Sequence, residues 1–172
     1  MTTGADLLVD AFGRVREAVQ ETVSGLGPEE LNARLVPAAN SIAWLVWHLA
    51  RVQDDHVADA AGIEQAWLRD GWVGRFGLPL DPKAIGYGHT SEEVAAVRVE
   101  DPQLLIDYYE AVHRQTVGYL GDLRDADFER IVDRSWDPAV SLGVRLISVV
   151  GDTMMHIGQA QYVRGILRRG RS

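Results

Sequence analysis

Apolar residues recur at three- and four-residue steps along four long stretches of the chain, the spacing that gathers them on one face of an α-helix. The first stretch runs from about Ala5 to Leu26, with Leu8, Phe12, Val15 and Val19 in one stripe and Gly27-Pro28 closing it. The second begins after Asn40 or Ser41, either a good N-cap, and carries Leu45, Leu49, Val52 and His56 to about Gly62. In the third, Asp101 caps and Pro102 takes the first helical position, and Leu105, Tyr108, Val112 and Tyr119 lead on to about Leu123. The fourth runs from about Leu142 to Arg168. Strand signals are weak; the best, FERIVDRSW at 128–136, is too isolated to build a sheet. Four amphipathic helices predict an all-α four-helix bundle.

Residues 63–100 form a long, partly helical insert between the second and third helices. It holds Trp67 and Trp72, the glycine-rich run GWVGRFGLPLDPKAIGYGH, and a short helix opened by TSEE, with Thr90 as cap and Glu93 three residues on. A connection of this length in a bundle is usually functional or disordered. Its aromatic content predicts an ordered flap over one bundle end.

No linker or shift of composition divides the 172 residues, so one domain is expected over 1–172. The chain has no Cys. Disulfides, thiolate metal sites and a cysteine nucleophile are excluded, and any metal must take nitrogen or oxygen ligands. A net charge of -8 argues against a nucleic-acid partner. No apolar run approaches the ~18 residues of a membrane span and the N-terminus does not read as a leader, so the expectation is a cytoplasmic protein with no membrane partner. The basic end, RRGRS, suits the dipole of a helix C-terminus. Of 17 basic residues only Lys83 is lysine, a bias of GC-rich genomes.

Positions 146, 149, 153, 156, 160, 163 and 167 follow one face of the fourth helix, and His156 interrupts an otherwise apolar stripe there. Asp152, one turn earlier, lies beside it. In the second helix His48 sits between core-type positions and shares a face with Leu45, Val52 and Asp55. Both histidines are therefore expected to point into the bundle. Such groups form either a His–Asp hydrogen bond between helices or the two-histidine, one-carboxylate set that binds a divalent metal with open positions. Burial of a carboxylate is costly unless it meets a cation or donors. Asp55 lies about 10 Å along the axis from His48, too far to share one ion. It and His56 read as solvated or interhelical polar groups, and His89 reads as part of the loop structure. His113 has no inward companion. Ser41, Ser141 and Ser148 lack a nucleophile elbow, and no phosphate-cradling glycine loop is present.

The segment NSIAWLVWHLARVQDDHV, followed far downstream by SLGVRLISVVGDTMMHIGQAQYVRG, resembles the DinB-like superfamily, four-helix-bundle proteins that include mycothiol- and bacillithiol-dependent enzymes. The resemblance covers nearly the whole chain. It implies three metal ligands: His48 in the WHL segment, with Asp152 and His156 at the two positions four apart before the GQ pair. The sequence departs from the family pattern at Asp152, where His or Glu is usual. Its shorter arm requires the ion to sit nearer the fourth helix or to be held through water.

The resemblance implies a metal-dependent S-transferase or isomerase that uses a low-molecular-weight thiol, of the mycothiol type given the GC-rich bias. The divalent ion would be zinc or nickel. Relatives pair their bundles, which implies a homodimer. Trp67, Trp72, Phe76 and Tyr87 are candidate apolar walls of a substrate pocket, Arg75 and Arg98 candidate contacts to acidic groups, and Gln159 a candidate to orient a ligand or bind substrate. The alternatives are a non-catalytic metal-binding stress-response bundle and a metal-dependent hydrolase with Asp55 or His56 as base.

Overall fold

The computed structural model of the protein describes residues 1–170. Arg171 and Ser172, the end of the basic RRGRS segment, lie outside the described residues. The four long helices are α1 (Gly4–Val23), α3 (Ile42–Ala61), α7 (Pro102–Gly121) and α8 (Leu142–Arg169). Between them stand the short helices α2 (Pro28–Asn32), α4 (Ala66–Arg69), α5 (Trp72–Phe76) and α6 (Ser91–Ala96). A 3-10 turn at Asp125–Glu129 precedes a small antiparallel ribbon, β1 (Ile131–Asp133) with β2 (Val140–Ser141). The all-α bundle expected from the periodicity is the fold.

Local chemistry sets the helix starts. Ser41 Oγ accepts from the Trp44 N–H at 3.1 Å, Asp101 Oδ1 from the Gln103 N–H at 2.8 Å, and Ser141 Oγ from the Val144 N–H at 3.4 Å. Thr90 and Glu93 form the reciprocal capping pair that TSEE announces. Two details differ from the sequence expectation. α1 ends at Val23, and Pro28 does not close it but opens α2, as proline at a first helical position does. The 128–136 segment does find a partner, because the chain turns back at 137–139 and offers Val140–Ser141 to Ile131–Asp133.

α1 packs on α7 and α8, and α3 packs on the same two helices, so α3 and α8 are neighbours despite their separation in sequence. The insert lies against the sides of α3 and α7, not over a bundle end. Its apolar anchors Trp67, Trp72 and Phe76 surround Tyr108 of α7, with ring centroids 5.1, 5.4 and 5.7 Å away.

The apolar core is split in two. One cluster takes Val15 to Val23 of α1, Ile42 to Ala50 of α3, Leu105 to Val112 of α7 and Ile157 to Val163 of α8. The other takes Leu8, Phe12, Val57, Ala60, Leu120 and Leu142 to Val150. The levels between them carry the polar residues Arg51, Gln53, Asp54, Thr116 and Thr153, all buried. Each finds partners. Gln53 donates to Thr116 Oγ1 at 2.9 Å and accepts from the Tyr109 hydroxyl at 2.8 Å, while Thr116 donates to the Val112 carbonyl. His48, Asp152 and His156 lie at this same waist.

Candidate metal centre

His48 is 2% exposed, its ring stacked on Trp44 with centroids 4.6 Å apart. Its Nδ1 meets the Ile85 carbonyl of the insert. A carbonyl only accepts, so Nδ1 carries the proton and Nε2 keeps its lone pair. In α8 the His156 Nδ1 donates to the main-chain carbonyl of Asp152 at 2.8 Å, which leaves its Nε2 free in the same way. The two imidazoles stand edge to face, centroids 4.6 Å apart. One ligand atom from each of His48, Asp152 and His156 lies within 4.8 Å of the others, so this trio could hold a metal ion.

The Asp152 carboxylate fits an ion better than it fits its protein neighbours. Oδ1 accepts only a long contact, 3.5 Å, from the Tyr87 hydroxyl. Oδ2 is buried with no hydrogen-bond donor among the described residues; His156 Nδ1 is 3.4 Å away, but its proton is committed to the backbone carbonyl. A buried carboxylate oxygen without a donor, grouped with two imidazoles whose ligand atoms lie within 4.8 Å, is a donor set that suits a divalent cation. Burial alone would raise the Asp152 pKa, yet the contact with His156 and the positive fields of His156, His48 and His56 hold it below the usual carboxylate value. Burial pushes the His48 pKa down, while the contact with Asp152 raises that of His156. Carboxylate and neutral imidazole are the forms that ligate.

Residues of the insert shape the site from above. Gly86 has φ +103°, and a Cβ there would run into the His48 imidazole, so only glycine lets the chain pass so close. The adjoining stretch is pinned by Arg51, whose Nε donates to the Ala84 carbonyl at 3.2 Å and whose Nη1 donates to Gln65 at 2.9 Å. Asp54, fully buried, stands 3.7 Å from Arg51 and accepts from the Ala66 and Trp67 N–H groups and the Tyr108 hydroxyl. Burial raises the Asp54 pKa, a shift that those donors and Arg51 oppose.

Two cavities open along the groove between α3 and α8, one on each side of the trio. The smaller, about 110 Å³, is lined by Val52, His56, Tyr87, Arg145, Ser148, Val149 and Asp152. The larger, about 420 Å³, is walled by Ala39, Asn40 and Leu45 with Met155, Gly158, Gln159, Tyr162 and Val163 of α8. Of the residues singled out as substrate contacts, Tyr87 and Gln159 stand beside the trio. Trp67 and Trp72 do not: both are buried in the core against Tyr108, where their area anchors the insert. Phe76 is buried with them. Arg75 lies over the Trp72 ring in a separate cleft with Asp107, Glu110 and Arg114, and Arg98 is exposed beside Glu100. Asp55 accepts from Gln65 at 2.7 Å and so tethers the insert, and His56 lines the small cavity. His89 accepts from the Trp44 indole at 3.2 Å and stacks on Trp47, which makes it part of the wall behind His48. His113 is partly buried beside Tyr109.

The model of the mycothiol S-transferase family matches residues 7–169. The chain belongs to this family. A conserved protein of Enterococcus faecalis, known from its crystal structure, is 33% identical over 95% of this chain and 96% of its own, with a TM-score of 0.89. No curated protein matches the chain. No described helix is long and apolar enough to cross a membrane.

The reading of the sequence as a DinB-like protein misses four residues around the trio: Arg51, Asp54, Gly86 and Arg145. The first two leave a signal, a charge three residues after His48 and another three later in a helix otherwise apolar from Ile42 to Leu49 apart from His48 itself. Gly86 and Arg145 leave none, because their approach to His48 and to the small cavity depends on how the insert and the ribbon fold back.

Proposed function

We propose that this mycothiol S-transferase family member is a metal-dependent enzyme. It transfers the sulfur of a low-molecular-weight thiol, mycothiol by its family, to a small electrophile. His48, Asp152 and His156 would hold the ion, zinc or nickel. The observation that carries this reading is the buried Asp152 Oδ2 with no donor, set opposite two imidazoles whose Nδ1 protons are already given to carbonyls. A divalent ion held there supplies the Lewis acidity that presents a thiol as thiolate near neutral pH. The protein, which has no Cys, brings no sulfur nucleophile of its own.

The chain's own groups do the rest. Trp44 backs His48 and excludes water from its inner face, and Ile85 fixes its tautomer. Tyr87 stands over Asp152 at the solvent side. In the transfer the thiol S–H is replaced by an S–C bond, the acceptor's leaving group departs with the bonding pair, and the proton passes to solvent. Residues 1–172 act as one domain, in the cytoplasm and as a homodimer; the exposed Val144 and Ile147 of α8 support the pairing.

Elemental analysis of the purified protein should find near one divalent ion per chain, lost in His48→Ala and in His156→Ala. The cobalt-substituted protein should develop a sulfur-to-cobalt charge-transfer band when thiol is added. Unchanged metal content in both variants overturns the ligand assignment, and a metal-loaded protein that gives no such band with mycothiol overturns the thiol chemistry.

A further inference from the structure

The small cavity beside Asp152 is built for more than holding an ion. Arg145 and Ser148 of α8, His56 of α3 and Tyr87 of the insert converge on it. Arg145 gives Nη2 to Asp133 of β1 at 2.7 Å, and its remaining N–H donors meet no acceptor among the described residues. Ser148 spends its proton on the Val144 carbonyl at 2.9 Å. The donors left for a ligand are therefore the guanidinium, the His56 ring and the Tyr87 hydroxyl. The acids that face them are Asp133, Asp55, 3.6 Å from His56 Nδ1, and Asp152 at the inner end.

Size and charge then select the occupant. At about 110 Å³ the space has room for a small polar group such as a carboxylate. Complete ligand pockets run to roughly 300 Å³ and above, so this is a subsite. A guanidinium with free, planar donors suits a carboxylate. Asp152 repels an anion until an ion neutralises it. The subsite is competent only when the centre is loaded.

We propose that this cavity recognises a carboxylate carried by the acceptor bound at the neighbouring centre, with Arg145 the residue that determines this specificity. The proposal rests on the metal-centre reading above, since the ion must first neutralise Asp152.

The test is calorimetric titration of the full-length, cobalt-loaded protein with succinate and with its neutral counterpart succinamide, with neither thiol nor turnover involved. Succinate should bind at least tenfold more tightly than succinamide. Arg145→Met should lose at least tenfold in succinate affinity at unchanged cobalt content, and Arg145→Lys should recover part of it. Asp133→Asn removes the ion pair but keeps the guanidinium, and should bind succinate as well as or better than the parent. Equal succinate affinity in parent and Arg145→Met overturns the proposal. So does a loss in Asp133→Asn equal to that in Arg145→Met, because Arg145 would then act only by bracing the ribbon. Comparing 3-mercaptopropionate with 2-mercaptoethanol by the charge-transfer band checks that the carboxylate belongs to the acceptor. No advantage for the former is expected, and a tenfold advantage would place the carboxylate on the thiol and overturn the assignment. Absence of any band with any thiol refutes the transferase reading while leaving the succinate result to stand or fall by itself.

Discussion

Replacing Gly86 by alanine perturbs the trio without touching a ligand. At φ +103° an L-residue is strained, by about 1 to 3 kcal/mol in such backbone regions. The new methyl also points at the His48 imidazole. Arg51 holds Ala84 and His48 holds Ile85, so the loop cannot yield without breaking one of those bonds. If the Ile85 carbonyl withdraws, a buried imidazole N–H loses its acceptor, about 1 to 3 kcal/mol more, and the ring is free to change tautomer and angle. Loss of such an orienting partner typically lowers metal affinity 10- to 100-fold. Gly88→Ala is the control, since φ is +71° there but a Cβ meets nothing within 4 Å. The assay is a chelator-competition titration of zinc, paired with melting of the metal-free proteins. Gly88→Ala should cost only backbone strain, about 1 kcal/mol or 2 to 4 °C for a chain of this size, with wild-type zinc affinity. Gly86→Ala should melt lower than that and bind zinc at least tenfold more weakly. Equal zinc affinity in the two variants would refute the view that the insert orients His48.

Asp54→Asn should destabilise the fold by about 3 to 5 kcal/mol in urea unfolding, because Arg51 would be left buried without its counter-charge; a loss below ~1 kcal/mol would contradict this. Asp152→Asn should weaken zinc binding at least tenfold yet shift metal-free stability by less than ~1 kcal/mol, since Oδ2 has no donor to lose. Destabilisation of the metal-free variant with undiminished zinc affinity would make Asp152 a structural partner of His156 instead. Sedimentation at tens of micromolar should find a dimer, and Val144→Glu or Ile147→Glu should weaken it; a monomer in the parent protein refutes the pairing.

The long helices were legible because each repeats its apolar positions over many turns and starts at a side-chain cap. His48, Asp152 and His156 were legible as polar interruptions of those same stripes, and the structure brings all three together. What could not be read is what depends on the insert. Aromatic residues there suggested a pocket wall, but the chain uses Trp67 and Trp72 as anchors in the core and brings Tyr87, flanked by glycines, to the trio. Periodicity says which face of a helix is buried; it says nothing of where the irregular loop 77–90 will touch it. Arg145 was hidden for a second reason. Its partner Asp133 lies in a ribbon too short to leave an alternating pattern.

One turn of α3 grips two consecutive carbonyls of the insert, Ala84 through Arg51 and Ile85 through His48. Three residues turn a helix by about 300°, so the two side chains leave α3 about 60° apart, close enough to reach one strand of backbone yet separate enough to serve different ends. Arg51 looks toward Asp54 and the insert's first short helix, His48 toward α8. A flap that lifted off to admit substrate would therefore break a buried ion-pair network and release the tautomer lock on a candidate ligand in the same movement. Opening of that kind is expensive and would disarm the centre as it opened. The two cavities in the α3–α8 groove offer approach from either side with the insert in place, one small and lined by Arg145, His56 and Asp152, one larger and mostly apolar. A reaction with two partners, each entering by its own side and meeting at His48, Asp152 and His156, needs no such opening.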